Sequence, residues 1–96
     1  MKVIINNAAK EDIKNIYKYS VVNFGEAKAE EYYQGLTDKV ESLSGVFIAS
    51  TSYNEIREGL RRTNFQGHAI YHIKQSDDVI VLRVLGKYQE AHIHIG

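Results

Sequence analysis

The sequence predicts an α+β fold: an N-terminal strand, an antiparallel helical hairpin, and a small, mainly antiparallel sheet on which the hairpin packs. Three observations carry this expectation. The first half spaces its apolar residues with a helical period, the second half alternates them or runs them together as strands do, and a lone glycine separates the two helical stripes. The order β-α-α-β-β-β keeps helices and strands in separate stretches, which is the α+β pattern. Ninety-six residues make one domain, 1–96, because two cores cut from this length would each be too small to stand alone.

Each element has its own signal. "KVIIN" at residues 2–6 is a short apolar run and reads as a strand. Beyond it Ile13, Ile16, Tyr17, Ser20 and Phe24 fall at i, i+3, i+4, i+7 and i+11, a single helical stripe. Asn7 is the expected N-cap, Glu11 and Asp12 lie near the positive end of the helix dipole, and Gly25 supplies the stop. A second stripe runs through Ala29, Tyr33, Leu36, Val40 and Leu43 to Ser44-Gly45. The connection at Gly25 is so short that the helices must be antiparallel neighbours. Residues 46–56 read as a connector with room for one helical turn. Residues 57–63 read as a strand, with Arg57, Gly59, Arg61 and Thr63 on one face and Glu58, Leu60 and Arg62 on the other. A turn at "NFQG" leads to the alternating "HAIYHIKQ", and "SDD" marks the next turn. "VIVLRVL", residues 79–85, is apolar on both faces apart from Arg83, the sign of a central strand covered on each side. The tail "GKYQEAHIHIG" fits a further strand, with Ile93 and Ile95 inward, or an extended arm, since Gly86 lets the chain bend.

Composition narrows the function classes. The formal charge is zero and 44% of residues are hydrophobic, which excludes a disordered tail or a globally basic coat for nucleic acid but leaves a local basic face open. Cysteine is absent, so disulfide, zinc-thiolate and cysteine-nucleophile chemistry are excluded. The N-terminal apolar run is too short for a signal h-region or a membrane span, so the expected location is the cytoplasm, with no membrane partner.

The arginines are the distinctive feature. Arg57, Arg61, Arg62 and Arg83 all lie beyond residue 56, and the first half draws its positive charge from lysine alone. A planar guanidinium binds carboxylate or phosphate through two parallel hydrogen bonds, which an ammonium cannot do. Arg61 and Arg62 are consecutive, so in a strand they point to opposite faces. Arg83, a lone cation in an apolar strand, must either be paired or open into a cleft. The ordinary alternative is that these arginines pair with acidic neighbours such as Glu55 or Glu58. His68 and His72 share one face of their strand and His92 and His94 share one in the tail, but no four-ligand spacing joins them, so no metal and no cofactor is expected. No compact catalytic motif or glycine-rich phosphate loop is present.

These residues match a known pattern. The stretch "AAKEDIKNIYKYSVVNFGEAKAEEYYQGL", followed by "REGLRR", "HAIYHI" and "VIVLRVL", closely resembles the ParE toxins of the RelE/ParE superfamily, members of type II toxin–antitoxin systems. The matching positions are Ala9, Asp12, Ile13, Ile16, Tyr19, Ser20, Asn23, Phe24 and Gly25, then Gly59, Leu60, Arg61 and Arg62. They continue with His68, Ile70, Tyr71, Arg83, Val84 and Leu85. The resemblance covers about residues 3–85 and implies a helical hairpin packed on a small sheet. It implies a toxin that acts on DNA gyrase and halts replication without being a hydrolase. It implies a ParD-like antitoxin as partner in a hetero-oligomer, with operator DNA reached only through the antitoxin. Arg57, Arg61, Arg62, Arg83, Lys87 and Tyr88 are the expected antitoxin- or target-binding residues. Relatives of the RelE type cleave ribosome-bound mRNA on the same fold, and that alternative would use Arg61, Arg83 and Tyr88. A further alternative is a degenerate toxin that only binds antitoxin. Where the family continues "RVL" with a histidine this chain has Gly86, so residues 86–96 form a divergent tail.

Overall fold

The structure, a computed structural model, describes residues 2–45, 50–87 and 89–95. The elements follow the chain as β1 (Val3–Ile5), α1 (Asn7–Phe24), α2 (Glu26–Glu41), β2 (Thr51–Ser52), β3 (Arg61–Phe65), β4 (His68–Gln75), β5 (Asp78–Gly86) and α3 (Ala91–His94), with a 3₁₀ turn at Ser42–Ser44. The strands form a single sheet in the order β1-β5-β4-β3-β2. β1 pairs with β5 in parallel, and every other neighbouring pair is antiparallel. The α+β fold expected from the sequence is the fold observed.

α1 begins one residue earlier than the capping pattern suggested. Asn6, not Asn7, is the N-cap, and its side chain accepts a 2.9 Å hydrogen bond from the Ala9 amide. Both positions carry the same residue type, so composition alone could not choose between them. Gly25 ends α1 at φ +87, a backbone conformation that L side chains rarely adopt, and α2 starts immediately after it. The hairpin is locked near its middle, where the rings of Tyr17 and Tyr33 meet edge to face at 5.7 Å and the Tyr17 hydroxyl donates to Glu30 at 2.6 Å. Phe24 ends the first stripe but faces solvent, at 61% exposed. Gly35 sits inside α2, where glycine costs about 1 kcal/mol relative to alanine. The reason is a close approach: an added Cβ would lie 2.8 Å from the ring of Phe65 on β3.

Two apolar layers enclose the sheet. On the helical side Ala9, Ile13, Leu36, Val40 and Leu43 pack on Ile70, Val79, Val81 and Val84. The other side gathers Leu60, Tyr71, Leu82, Leu85 and Ala91, flanked by the half-buried Tyr53, Ile56 and Ile95. This second cluster explains why β5 is apolar on both faces. It also changes the reading of two segments. The strand expected at 57–63 starts only at Arg61, and the preceding residues make a turn that lays Leu60 onto the far face. Asn54 closes that turn by accepting the Gly59 amide at 2.9 Å. The tail is not an edge strand. It makes the short helix α3, which buries Ala91 and leaves Ile93 exposed.

The core therefore does not stop at Gly86. Deleting residues 87–96 should leave a folded domain, because the helical-side cluster lies wholly before that point. Losing the cover of Ala91 and Ile95 is expected to lower stability by about 2 kcal/mol. A thermal melt of the truncated chain reads this; an unchanged midpoint would mean that α3 contributes no cover.

Candidate functional site

Arg83 and Asp12 form the best-defined polar cluster. Asp12 lies in the second turn of α1 and Arg83 in β5, beside a register shift that sets both Arg83 and Val84 toward α1. The guanidinium donates twice to the carboxylate, Nε to Oδ2 at 2.7 Å and Nη2 to Oδ1 at 2.8 Å. The Val84 amide also donates to Oδ2, at 2.9 Å. That amide needs an acceptor because β1 ends before it: the parallel ladder closes at Ile5 with Val81, and the Asn6 amide bonds the Val81 carbonyl. Hydrogen bonding to Asp12 raises the Arg83 pKa above its ordinary value, against a smaller opposing effect of burial. Arg83 is thus a paired cation that ties α1 to the central strand.

The other predicted cations do not converge on it. Arg61 is held by Ser50, through Nε to the hydroxyl at 2.6 Å and Nη2 to the carbonyl at 3.0 Å. It lines a hollow on the helical side of the sheet with Lys74 and the buried His72. Arg62 points to the opposite face, as consecutive strand residues must, and lies 4.7 Å above the ring of Tyr53. Its Nε is buried with no hydrogen-bond partner among the described residues. Lys87 shares with Arg62 a cavity of ≈ 330 Å³ floored by Tyr71 and Leu85. Arg57 and Arg83 meet at a third hollow, with His94. Tyr88 lies outside the described residues. Of these cavities none is lined by both Arg61 and Arg83. Arg61 and Arg83, two of the residues of the nuclease alternative, thus line different hollows, and each has a protein partner.

The histidines are similarly dispersed. His68 Nδ1 lies 2.6 Å from the Tyr32 hydroxyl, and burial pushes the His68 pKa down and that of Tyr32 up. His72 Nε2 lies 2.9 Å from the Thr63 hydroxyl, and His92 meets Glu90 at 3.3 Å. Among the described residues no three metal-ligating side chains converge.

A roomier concavity lies on the hairpin rather than among the arginines. A groove of ≈ 640 Å³ runs beside α1 and α2, floored by Ile5, Ile13, Tyr17 and Tyr33. Lys10, Lys14 and Lys18 line it at four-residue spacing, which sets them one above another on α1. The groove borders β1, whose outer edge has no strand partner among the described residues and whose Ile4 is 42% exposed. The lysine stripe was visible as an i, i+4, i+8 repeat flanking Ile13 and Tyr17.

The sequence matches the family model for the ParE toxin of the type II toxin–antitoxin system parDE over residues 3–90, past the Leu85 limit of the motifs. No curated protein matches it. The fold is similar to a solved chain from the chromosomal ParDE toxin–antitoxin system of P. aeruginosa. The TM-score is 0.79 at 21% identity, covering 90% of this chain and 95% of that one. Among the described residues no helix is long and apolar enough to cross a membrane. The motif order, the hairpin-on-sheet architecture and the family match agree: the chain belongs to the ParE toxin family of type II toxin–antitoxin systems.

Proposed function

We propose that the chain is a cytoplasmic toxin that acts on DNA gyrase, and that a ParD-like antitoxin neutralises it by laying its C-terminal segment into the hairpin groove. The observation that supports this partner is the groove itself. It offers an apolar floor, three lysines along one wall and the edge strand β1 beside them. That combination suits a segment with apolar anchors and acidic residues, able to pair its main chain with β1. The antitoxin's DNA-binding half would carry the complex to its operator. Gyrase as target rests on membership of the ParE family. The arginines lend no support to the mRNA-cleaving alternative, since Arg61 and Arg83 line different hollows.

Expression of the chain alone in bacteria is expected to arrest growth with filamentation, and co-expression of a small antitoxin from the adjacent reading frame should relieve it. Purified protein should inhibit supercoiling by gyrase and raise cleaved DNA. If supercoiling and cleavage are both unchanged, gyrase is not the target. Lys14→Glu should weaken the antitoxin complex by about 1 kcal/mol, roughly fivefold, mainly through slower association at low salt. Unaltered binding kinetics in this variant would place the antitoxin elsewhere.

A further inference from the structure

A small hollow of ≈ 170 Å³ beside Leu82 and Ile95, on the sheet face that faces away from the hairpin, collects hydrogen-bond donors from separate parts of the chain. Arg57 comes from the turn before β3, Arg83 from β5, His94 from α3, and Asn6 and Ala8 from the start of α1. Asp12 occupies Nε and Nη2 of Arg83 and leaves Nη1 without a hydrogen bond among the described residues. The Arg57 side chain makes no hydrogen bond or ion pair among them either. Two guanidinium groups thus face one concavity, and a single carboxylate offsets only one of them.

The N-terminus of α1 adds to the same field. No acidic residue stands in its first turn, and Asn6 satisfies only the Ala9 amide. The amides of Asn7 and Ala8 have no acceptor among the described residues. Like charges gathered in a hollow repel one another, and an anion held between them relieves that cost while gaining charge-assisted hydrogen bonds. Donors that arrive from several directions suit an oxyanion with oxygens on every side. We propose that this hollow binds a phosphate group, either free or as an ester in a nucleic-acid backbone, between Arg57, Arg83, His94 and the first turn of α1. The proposal does not depend on gyrase being the target or on the antitoxin using the hairpin groove.

The test is a titration of the full chain with inorganic phosphate at constant ionic strength, followed by amide and guanidinium NMR signals. Saturable shifts are expected at Asn7, Ala8 and the Arg57 side chain. Arg57→Ala should weaken phosphate binding about tenfold, and Arg57→Lys should recover part of it, since a point charge keeps attraction but not the fork. Lys28→Ala, on exposed α2, should bind as the parent does. A short labelled oligonucleotide, read by anisotropy, separates the two sources. Retention that inorganic phosphate competes away and Arg57→Ala abolishes assigns the hollow to a phosphodiester, whereas phosphate binding without oligonucleotide binding assigns it to the free ion. Shifts that never saturate, or an Arg57→Ala variant with a native spectrum and undiminished phosphate binding, overturn the proposal. His94→Ala, expected to weaken binding severalfold, keeps the test open should Arg57→Ala fail to fold.

Discussion

Asp12→Ala is expected to destabilise the protein by about 3 kcal/mol, at the lower end of what breaking a buried ion pair costs. The lower end applies because the two side chains retain 22% and 11% of their exposure. Two penalties combine. The Arg83 guanidinium stays in its half-buried position without a counter-charge, and the Val84 amide loses its acceptor beyond the end of β1. Asp12→Asn separates them, since an amide oxygen can still accept from Val84 while the charge is gone; about half the loss should remain. Arg83→Met should cost less than Asp12→Ala, because it leaves the carboxylate with the Val84 hydrogen bond. Urea unfolding of the three variants and of the Asp12→Ala, Arg83→Met double variant gives the coupling directly. A loss below about 1 kcal/mol for Asp12→Ala would show the pair to be solvated and dispensable. The consequence reaches function through α1, which carries Lys10, Lys14 and Lys18. A helix loosened from β5 should present that groove less well to an antitoxin.

The same pair marks the limit of what the sequence discloses. Helical stripes, the turn residues at Gln66-Gly67 and Ser76-Asp77, and the two-sided burial of β5 are local properties, and each was legible from period or composition. The meeting of Asp12 with Arg83 spans 71 positions and depends on where β1 stops, which no local pattern encodes. Arg83 was readable as either paired or open to a cleft, and the fold chose pairing. The segment before β3 failed for a different reason. Its alternation from Arg57 to Thr63 mimics a strand, while the decisive contact is the Asn54 side chain reaching the Gly59 amide. In the tail, alternating His and Ile fit a strand, but Ala91 finds the Leu60, Tyr71 and Leu85 cluster and one turn of helix suffices. Four arginines looked like one site because they crowd the second half of the sequence. Strand alternation and the turn before β3 send Arg61 and Arg62 to separate hollows and leave only Arg57 and Arg83 sharing one.

Acidification should unfold the protein more readily than its carboxylates alone would require, because His72 is buried in its neutral form. Burial, with a smaller contribution from the nearby Arg61 charge, pushes its pKa down from 6.5 to about 4. The residue is 5% exposed and lies on β4 between Arg61 of β3 and Val81 of β5. Its contact with Thr63 is neutral, so no carboxylate rewards protonation there. The unfolded chain then binds more protons than the folded one between pH 6.5 and 4. The contribution is present in full above the unfolded value and is lost as the pH falls through that window, reaching about 3 kcal/mol below it. His68, whose pKa burial also lowers, adds in the same direction. His72→Gln removes the titration while keeping a polar group opposite Thr63. Urea midpoints from pH 7 down to pH 4 should therefore fall more steeply in the parent than in this variant. The difference between the two slopes isolates His72, since the carboxylates and His68 are common to both. Parallel slopes would mean that His72 accepts its proton in the folded sheet without penalty, through an opening between β3 and β4 wide enough to admit water.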